Sequence, residues 1–431
     1  MSLTQNLNFP RLPQHKSLQN QILLCIGFSK AYVCAAVDQC ILTSVGMESV
    51  AEIPMWKIPV ASADVTGKEE EYVVEAIRSS WISSSGAFVD RFEKEFSELC
   101  DTKHALSCAN GTVALHLAIL GLGLRPGDEV IVPSMTYIAT ANAVRYCGAE
   151  PVFIDIDPNT WCMDPTQIEE AITPRTRGII AVHLLGHPAD MDAINEIASI
   201  HGLWVVEDAA EAHFALYKGK PVGSLGSAAT FSFFGNKLFT CGEGGAVTVN
   251  SDQLSLRLKT LRGQGMDPRK RYYFPVIGYN YRLTNVACAM LCAQLERRSE
   301  IMSRRIEIFQ RYNEGLAQIP GVRLQPIASW ATHSPWMHAV LIDSTEYGRT
   351  RDEVISGLAA KGIDSRPFFV PIHTLPPYQN SPVVRDLLPH TDFLGSSGLM
   401  LPTYNALTNE DIDTVVHIIS ELSTARLRRA A

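Results

Sequence analysis

From His104 to Asn250 short apolar runs alternate with helical segments, and this rhythm restricts the chain to few architectures. HALSC (104–108), DEVIVPS (128–134), PVFIDID (151–157), RGIIAVHLL (177–185), LWVVEDA (203–209), AATFSFF (228–234) and GGAVTVN (244–250) read as strands. Helical spacing lies before and between them: Tyr72, Val73, Ala76 and Ile77, then Phe92, Phe96 and Leu99, a helix opening at Thr112, another in outline from 136, and IEEAI and MDAINEIASIHG. Such alternation predicts an α/β fold with a mostly parallel sheet covered on both faces. One long helix is expected over VACAMLCAQLERRSEIMSRRIEIFQRYNEGL, followed by a smaller α/β unit with helices at 351–361 and over NEDIDTVVHIISEL. The expected division is an N-terminal extension without ordered structure over 1–50, a large domain over 51–300 and a small one over 301–431. Residues 1–50 carry few charges and no strand–helix rhythm, and Met47 begins a stretch that reads like a natural start.

Composition removes several function classes. The 431 residues carry a net charge of -8 and no Lys/Arg-rich run, so no nucleic acid partner is expected. A bound phosphate must then be held by local donors. The ten cysteines form no CxxC pair and no zinc-like spacing with His, which predicts no metal and small buried thiols in a reducing compartment. The most apolar stretch, 21–37, is interrupted by Lys30, so no membrane span and a cytoplasmic location are expected.

Three constellations fall at carboxyl ends of strands, where open α/β sheets place ligands. Asn110-Gly111-Thr112 joins a strand to a helix, and a helix amino terminus offers free N–H groups to an anion; the alternative is a plain connection. Glu207-Asp208-Ala209-Ala210-Glu211 follows an apolar strand, where an ionised carboxylate is costly unless paired. A pyridinium nitrogen is one such partner, and a helix cap by Asp208 is the alternative. Ser232-Phe233-Phe234-Gly235-Asn236-Lys237 sets a single Lys among aromatic residues and glycines. A desolvated Lys loses its proton easily and attacks carbonyls, the alternative being a loop cation.

The order of these motifs is similar to that of fold type I, aspartate-aminotransferase-like pyridoxal-phosphate enzymes. Residues from about 54 to 425 resemble the nucleotide-sugar aminotransferases of the DegT/DnrJ/StrS group. The resemblance rests on IPVA, WISSSGAFVDRFEKEF, SCANGTVALHLAI, GDEVIVPSMTYIATANAV, VVEDAAEA, FSFFGNKLFTCGEGG and GYNYRLTN. WISSSG, SFFGNK, LRGQGMDP and RPFFVPIH look most like the branch that aminates C4 of a GDP-linked 4-keto-6-deoxymannose, with glutamate as donor.

The resemblance implies pyridoxal 5'-phosphate as cofactor. Lys237 would hold it covalently and shuttle the proton, and Asp208 would keep the pyridine nitrogen protonated. Glu211 would face the phenolic oxygen and Tyr137 would stack on the ring. Gly111, Thr112 and Ser232 would bind the phosphate, joined by Asn280 from a second subunit of a homodimer or a dimer of dimers. Trp81, Ser83, His183, His338, Phe368 and His373 are expected toward the substrate, His183 having a satisfied core histidine as its alternative. The sequence departs from the family pattern at Leu238-Phe239-Thr240-Cys241, which is bulkier than usual, and at His338, where Tyr is usual. Rival readings are a UDP- or dTDP-sugar aminotransferase, a sugar dehydratase (whose relatives replace the Lys by His) and a catalytically inactive sensor or scaffold.

Overall fold

The structure is a computed structural model that describes residues 56–385 and 387–423; the expected extension over 1–50 lies outside them. In chain order come α1 (Glu69–Arg78), α2 (Ala87–Leu99), β1 (His104–Cys108), α3 (Gly111–Gly121), β2 (Glu129–Pro133), α4 (Ala139–Tyr146), β3 (Glu150–Ile154), β4 (Thr176–Val182) and α5 (Met191–His201). Next are β5 (Trp204–Asp208), β6 (Leu216–Tyr217), β7 (Lys220–Pro221), β8 (Ala228–Ser232), β9 (Gly245–Val249), α6 (Asp252–Arg262), α7 (Asn285–Glu296) and α8 (Arg298–Leu316). The remainder is β10 (Val322–Leu324), β11 (Ala331–Thr332), β12 (Ala339–Ile342), α9 (Arg351–Ala359), β13 (Arg366–Pro367), α10 (Pro389–Ser397), β14 (Gly398–Met400) and α11 (Asn409–Leu422).

A seven-stranded sheet runs in the order β1-β9-β8-β5-β4-β2-β3. From β8 to β3 all pairings are parallel, and β9 is antiparallel to both neighbours. The carboxyl ends of all its strands except β9 therefore share one edge. β2, β8 and β9 are buried at every position, which explains why their sequences show no apolar–polar alternation. Alternation then sorts side chains between two layers. Ile131, Ile179, Ala181 and Val205 join one core with α2, while Val130, Val132, Ile180 and Val206 join the other with α3 and α4. In the first layer Phe92 and Phe96, one turn apart on α2, meet Phe233 and Phe231 edge to face, at 5.5 Å and 4.9 Å between ring centroids.

The long helix expected after Asn285 is two helices. α7 ends at Glu296, and the next residue, Arg297, with φ of -95° and ψ of 8°, breaks the helical run. The bend falls where the buried face changes partner: α7 packs on α1 and α2, and α8 on α11. Arg297 fixes the corner through Asp64 at 3.2 Å and Glu300 at 2.6 Å. Beyond it, β10-β12-β14-β13 form a four-stranded antiparallel sheet with its own core, which includes Ile308, Tyr312, Val340, Leu358 and Ile419. β11 crosses back to pair with β6 beside the large sheet.

Candidate active site

Strand β5 delivers Asp208 to the shared edge, 5% exposed. Its Oδ2 accepts from the Thr140 hydroxyl on α4 at 2.7 Å, and its Oδ1 from the Ala210 amide at 3.3 Å. Among the described residues Asp208 has no cation within ion-pair distance. Burial pushes its carboxyl above the ordinary range, against the pull of Thr140, the Ala210 amide and the more distant Lys237. Three residues on, buried Glu211 accepts from the Leu185 amide at 2.8 Å and lies 3.7 Å from the Lys237 ammonium. Its carboxyl is also pushed up by burial and pulled down by Lys237. The Lys237 side chain, 12% exposed, is pushed below its ordinary range by burial, with Glu211 and Asp208 opposing.

The amino terminus of α3 meets the end of β8 at the same edge of the sheet. Asn110 caps α3 by accepting from the Val113 amide at 3.0 Å. The first-turn N–H groups of Gly111 and Thr112 have no partner inside the helix. A Cβ at Gly111 would stand 2.8 Å from the Ser232 Cβ, so only glycine lets the end of β8 approach this helix so closely.

Residues 63–420 match the model described as the DegT/DnrJ/EryC1/StrS aminotransferase family. The chain belongs to that family. It is similar to GDP-perosamine synthase of Caulobacter vibrioides, 48% identical over 367 residues, covering 85% of this chain and 98% of the relative. GDP-perosamine synthase of Escherichia coli O157:H7 is 44% identical, covering 84% and 98%. Among solved structures, S. venezuelae DesV in complex with a ketimine intermediate aligns with a TM-score of 0.77 at 38% identity, covering 82% of this chain and 94% of that one. DesI in the presence of its TDP-sugar product gives 0.80 at 34%, covering 90% and 98%.

The chain is thus a pyridoxal-phosphate-dependent aminotransferase of the DegT/DnrJ/EryC1/StrS family, and its residues fit that cofactor. Asp208 is a buried carboxylate without a cation beside it, Lys237 is a desolvated amine, and the Gly111–Ser232 cradle suits a phosphate.

The expected site residues divide. Asp208, Glu211 and Lys237 converge, and Gly111, Thr112 and Ser232 form the cradle. Tyr137, 58% exposed, stands at the same edge with Phe369 at 5.8 Å. His373 donates to or accepts from Ser134 Oγ at 2.7 Å, just past β2. Trp81 and Ser83 lie in an exposed segment whose carbonyls accept from the Asn285 side chain at 2.7 Å and the Asn285 backbone amide at 2.6 Å. Asn280 is exposed, its Oδ1 3.4 Å from Arg282.

Three of the residues expected toward the substrate are buried, and His183 fits its alternative as a satisfied core histidine. His183 is fully buried: its Nε2 donates to Glu207 at 3.1 Å and its Nδ1 accepts from the Ala189 amide at 2.9 Å, so no ring atom is left for a substrate. His338 is buried against α8, its ring beside Phe309 and Tyr312 and its Nε2 2.9 Å from Asn313. Phe368 packs in the core on Trp161 at 5.5 Å, and its neighbour Phe369 is the residue that reaches Tyr137. Leu238 and Phe239 are likewise buried in the core, which explains their bulk.

Sequence reasoning missed Thr140 and Trp336. Thr140 follows Tyr137 by three residues, a helical spacing that was open to notice. Trp336 places its ring centroid 3.7 Å from the Lys237 Nζ, a contact between distant segments with no local sequence signal.

Proposed function

We propose that this enzyme transfers an amino group from glutamate to the C4 ketone of GDP-linked 4-keto-6-deoxymannose, giving GDP-perosamine. The observation that carries this reading is the buried Asp208–Glu211–Lys237 group at the carboxyl ends of β5 and β8. The choice of sugar is supported by two relatives, 48% and 44% identical over nearly their whole length, that are named GDP-perosamine synthase. When bound, pyridoxal phosphate supplies an electron sink and carries the amino group between donor and acceptor. Lys237 would hold the cofactor's aldehyde carbon, and its Nζ would serve as the acid–base group that moves the proton. Asp208 would keep the ring nitrogen protonated, offering a carboxylate in a site where charge is poorly solvated. Glu211, its carboxyl raised by burial, is suited to face the phenolic oxygen. Gly111, Thr112 and Ser232 would hold the phosphate, with Tyr137 beside the ring.

Mixing the purified enzyme with pyridoxal phosphate, glutamate and a panel of GDP-, UDP- and dTDP-linked ketosugars, with products weighed by mass spectrometry, tests the assignment. The GDP sugar should be aminated fastest. Efficient turnover of a UDP or dTDP sugar with none of the GDP sugar would overturn it.

A shared site between two copies belongs to the same proposal. Trp81, Tyr137, Tyr272, Tyr273 and Ile277 are large apolar side chains left exposed, the kind that a second copy covers, and Asn280 follows the last three in sequence. Mixed dimers of Asn280→Asp and Lys237→Ala subunits should regain activity, because both lesions then fall in one site. Verified exchange without recovery would sink the shared site. The division near residue 300 is supported by the corner at Arg297, after which every strand of the four-stranded sheet arises. A cytoplasmic setting is supported by the free buried cysteines among the described residues. No described helix is long and apolar enough to cross a membrane.

A further inference from the structure

Trp336 lies in the turn between β11 and β12, 3% exposed, with Lys237 Nζ 3.7 Å from its ring centroid. Its indole N–H donates to the carbonyl of Asn236, the residue preceding Lys237, at 2.8 Å. One side chain thus touches the lysine at both ends: it ties the backbone at the root and offers a ring face to the nitrogen at the tip.

The turn carrying Trp336 is itself fixed from two directions. The Trp336 carbonyl accepts from Arg305 at 2.8 Å, and the same guanidinium donates to the Thr403 carbonyl at 2.6 Å and to Asn405 at 2.7 Å. Arg305 is 3% exposed, and burial without a contacting carboxylate pushes its pKa down to about 9. From the other side the Ser334 amide donates to the Gly186 carbonyl at 2.9 Å. Gly186 has φ of 90°, and a Cβ there would collide with the Ser334 carbonyl, so this approach requires glycine. The adjoining Leu185 amide holds Glu211. Lys237, its counter-charge and the indole are therefore braced by one loop.

We propose that Trp336 is a positioning residue for Lys237, holding its nitrogen on the indole face and its backbone through the Asn236 carbonyl. The inference rests on the aminotransferase reading and deepens it. A π face attracts an ammonium and favours the charged form, most strongly in a desolvated site. The groups around Lys237 that bear on its charge are Glu211 at 3.7 Å, Asp208, and buried His213, whose pKa is pushed down to about 3 so that it is neutral. Of these only the carboxylates favour the ammonium alongside Trp336, against burial.

The test uses the full chain freed of cofactor. Lys237 is labelled with formaldehyde and cyanoborohydride across a pH series and counted by peptide mass spectrometry. In Trp336→Leu the labelling midpoint should fall by about one pH unit, equivalent to about 1.4 kcal/mol. A folded Leu variant with the wild-type midpoint overturns the proposal. Should that variant not fold, Trp336→Phe decides. It keeps a ring face but loses the N–H, so its midpoint should stay near wild type while capture of pyridoxal phosphate, trapped by borohydride, slows about tenfold. Capture at the wild-type rate overturns the proposal. Wild-type protein that captures no pyridoxal phosphate at Lys237 would instead sink the aminotransferase reading, which separates the two failures.

Discussion

Glu207 and Asp208 are adjacent carboxylates on β5, both buried, and they have opposite fates. Successive strand residues face opposite sides of the sheet. Glu207 meets a full set of donors: His183 at 3.1 Å, and the amides of Gly223, Leu225 and Gly226 at 2.9, 2.8 and 2.8 Å. Every lone-pair direction is used, and the residue locks the segment before β8 to the sheet. Asp208 has one short donor, Thr140, and one long one, Ala210. Unused acceptor capacity on a buried carboxylate is unfavourable for folding alone, and it suits a group that must receive a cation. Both are buried carboxyls on one strand; what distinguishes them is how many donors each already has.

The largest effect expected is at the Lys237 amine, which lies 3.7 Å from Glu211, three residues beyond this pair. Lys237→Ala should remove turnover to the detection limit and abolish covalent cofactor capture, with the fold retained by melting temperature. Substantial turnover would break the assignment of the Asp208 face as the reactive one.

Next comes the crossed pair, which tests the comparison directly. Asp208→Asn should lower activity by about 10²–10⁴-fold, because an amide cannot hold the ring nitrogen's proton. The cofactor-free variant should be at least as stable as wild type, since a poorly solvated carboxylate has gone. Glu207→Gln should do the reverse. Its amide NH2 faces backbone donors that it cannot accept from, at about 1–3 kcal/mol of stability, while kcat changes little. Denaturant melts and steady-state kinetics on both variants decide. Equal effects of the two substitutions on both measurements would erase the distinction.

Much of this was legible in the sequence because local rules governed it. The sheet strands expected from 104 to 250 lie within three residues of their observed bounds, since runs such as EVIVP are buried at all positions and carry their apolar signature openly. Asp208 and Lys237 were legible because strand ends and a lone Lys among glycines are local features. The rest depends on contacts between distant segments. The bend at Arg297 comes from a change of packing partner, which helical periodicity does not record. His183 is bound by Glu207 and the Ala189 amide, and His338 packs on the α8 face. Trp336 is set against Lys237 by contacts with distant segments, Arg305 on its carbonyl and Ser334 docked on Gly186.

A smaller effect is the pH dependence of stability in the cofactor-free protein. The folded pKa of Asp208 is raised above the ordinary 3.8 by burial. Its favourable contribution is complete below 3.8 and is lost as pH rises through the folded value. Wild type should therefore lose ground to Asp208→Asn as pH climbs from 3.8 upward. Bound pyridoxal phosphate should reverse the trend, by placing a cation at the carboxylate. Melting curves taken as a pH series, with and without the cofactor, measure both. Parallel curves for the two cofactor-free proteins would show that Asp208 is better solvated than its contacts imply.

The smallest effect, and the sharpest probe of the donor argument, is at Thr140. Its hydroxyl is the one short donor to Asp208, at 2.7 Å, and it sits 3.3 Å from the Thr136 hydroxyl. Thr140 is 1% exposed, so water does not readily replace a lost donor. Thr140→Val keeps the shape and removes the hydroxyl. Hydrogen bonds to a charged group contribute about 1.5–3 kcal/mol, and part of this should return as tighter pairing with the cofactor's cation. The Asp208 carboxyl should become harder to ionise, so the acid limb of cofactor binding moves to higher pH by about one unit or less. Activity at neutral pH should fall only a few-fold, because Asp208 is still ionised beside a cation there. Thr140→Ser restores the donor and should return the limb toward its wild-type position. A Val variant whose acid limb does not move would mean that the cation alone sets the state of Asp208, and the count of protein donors would then explain Glu207 but not its neighbour.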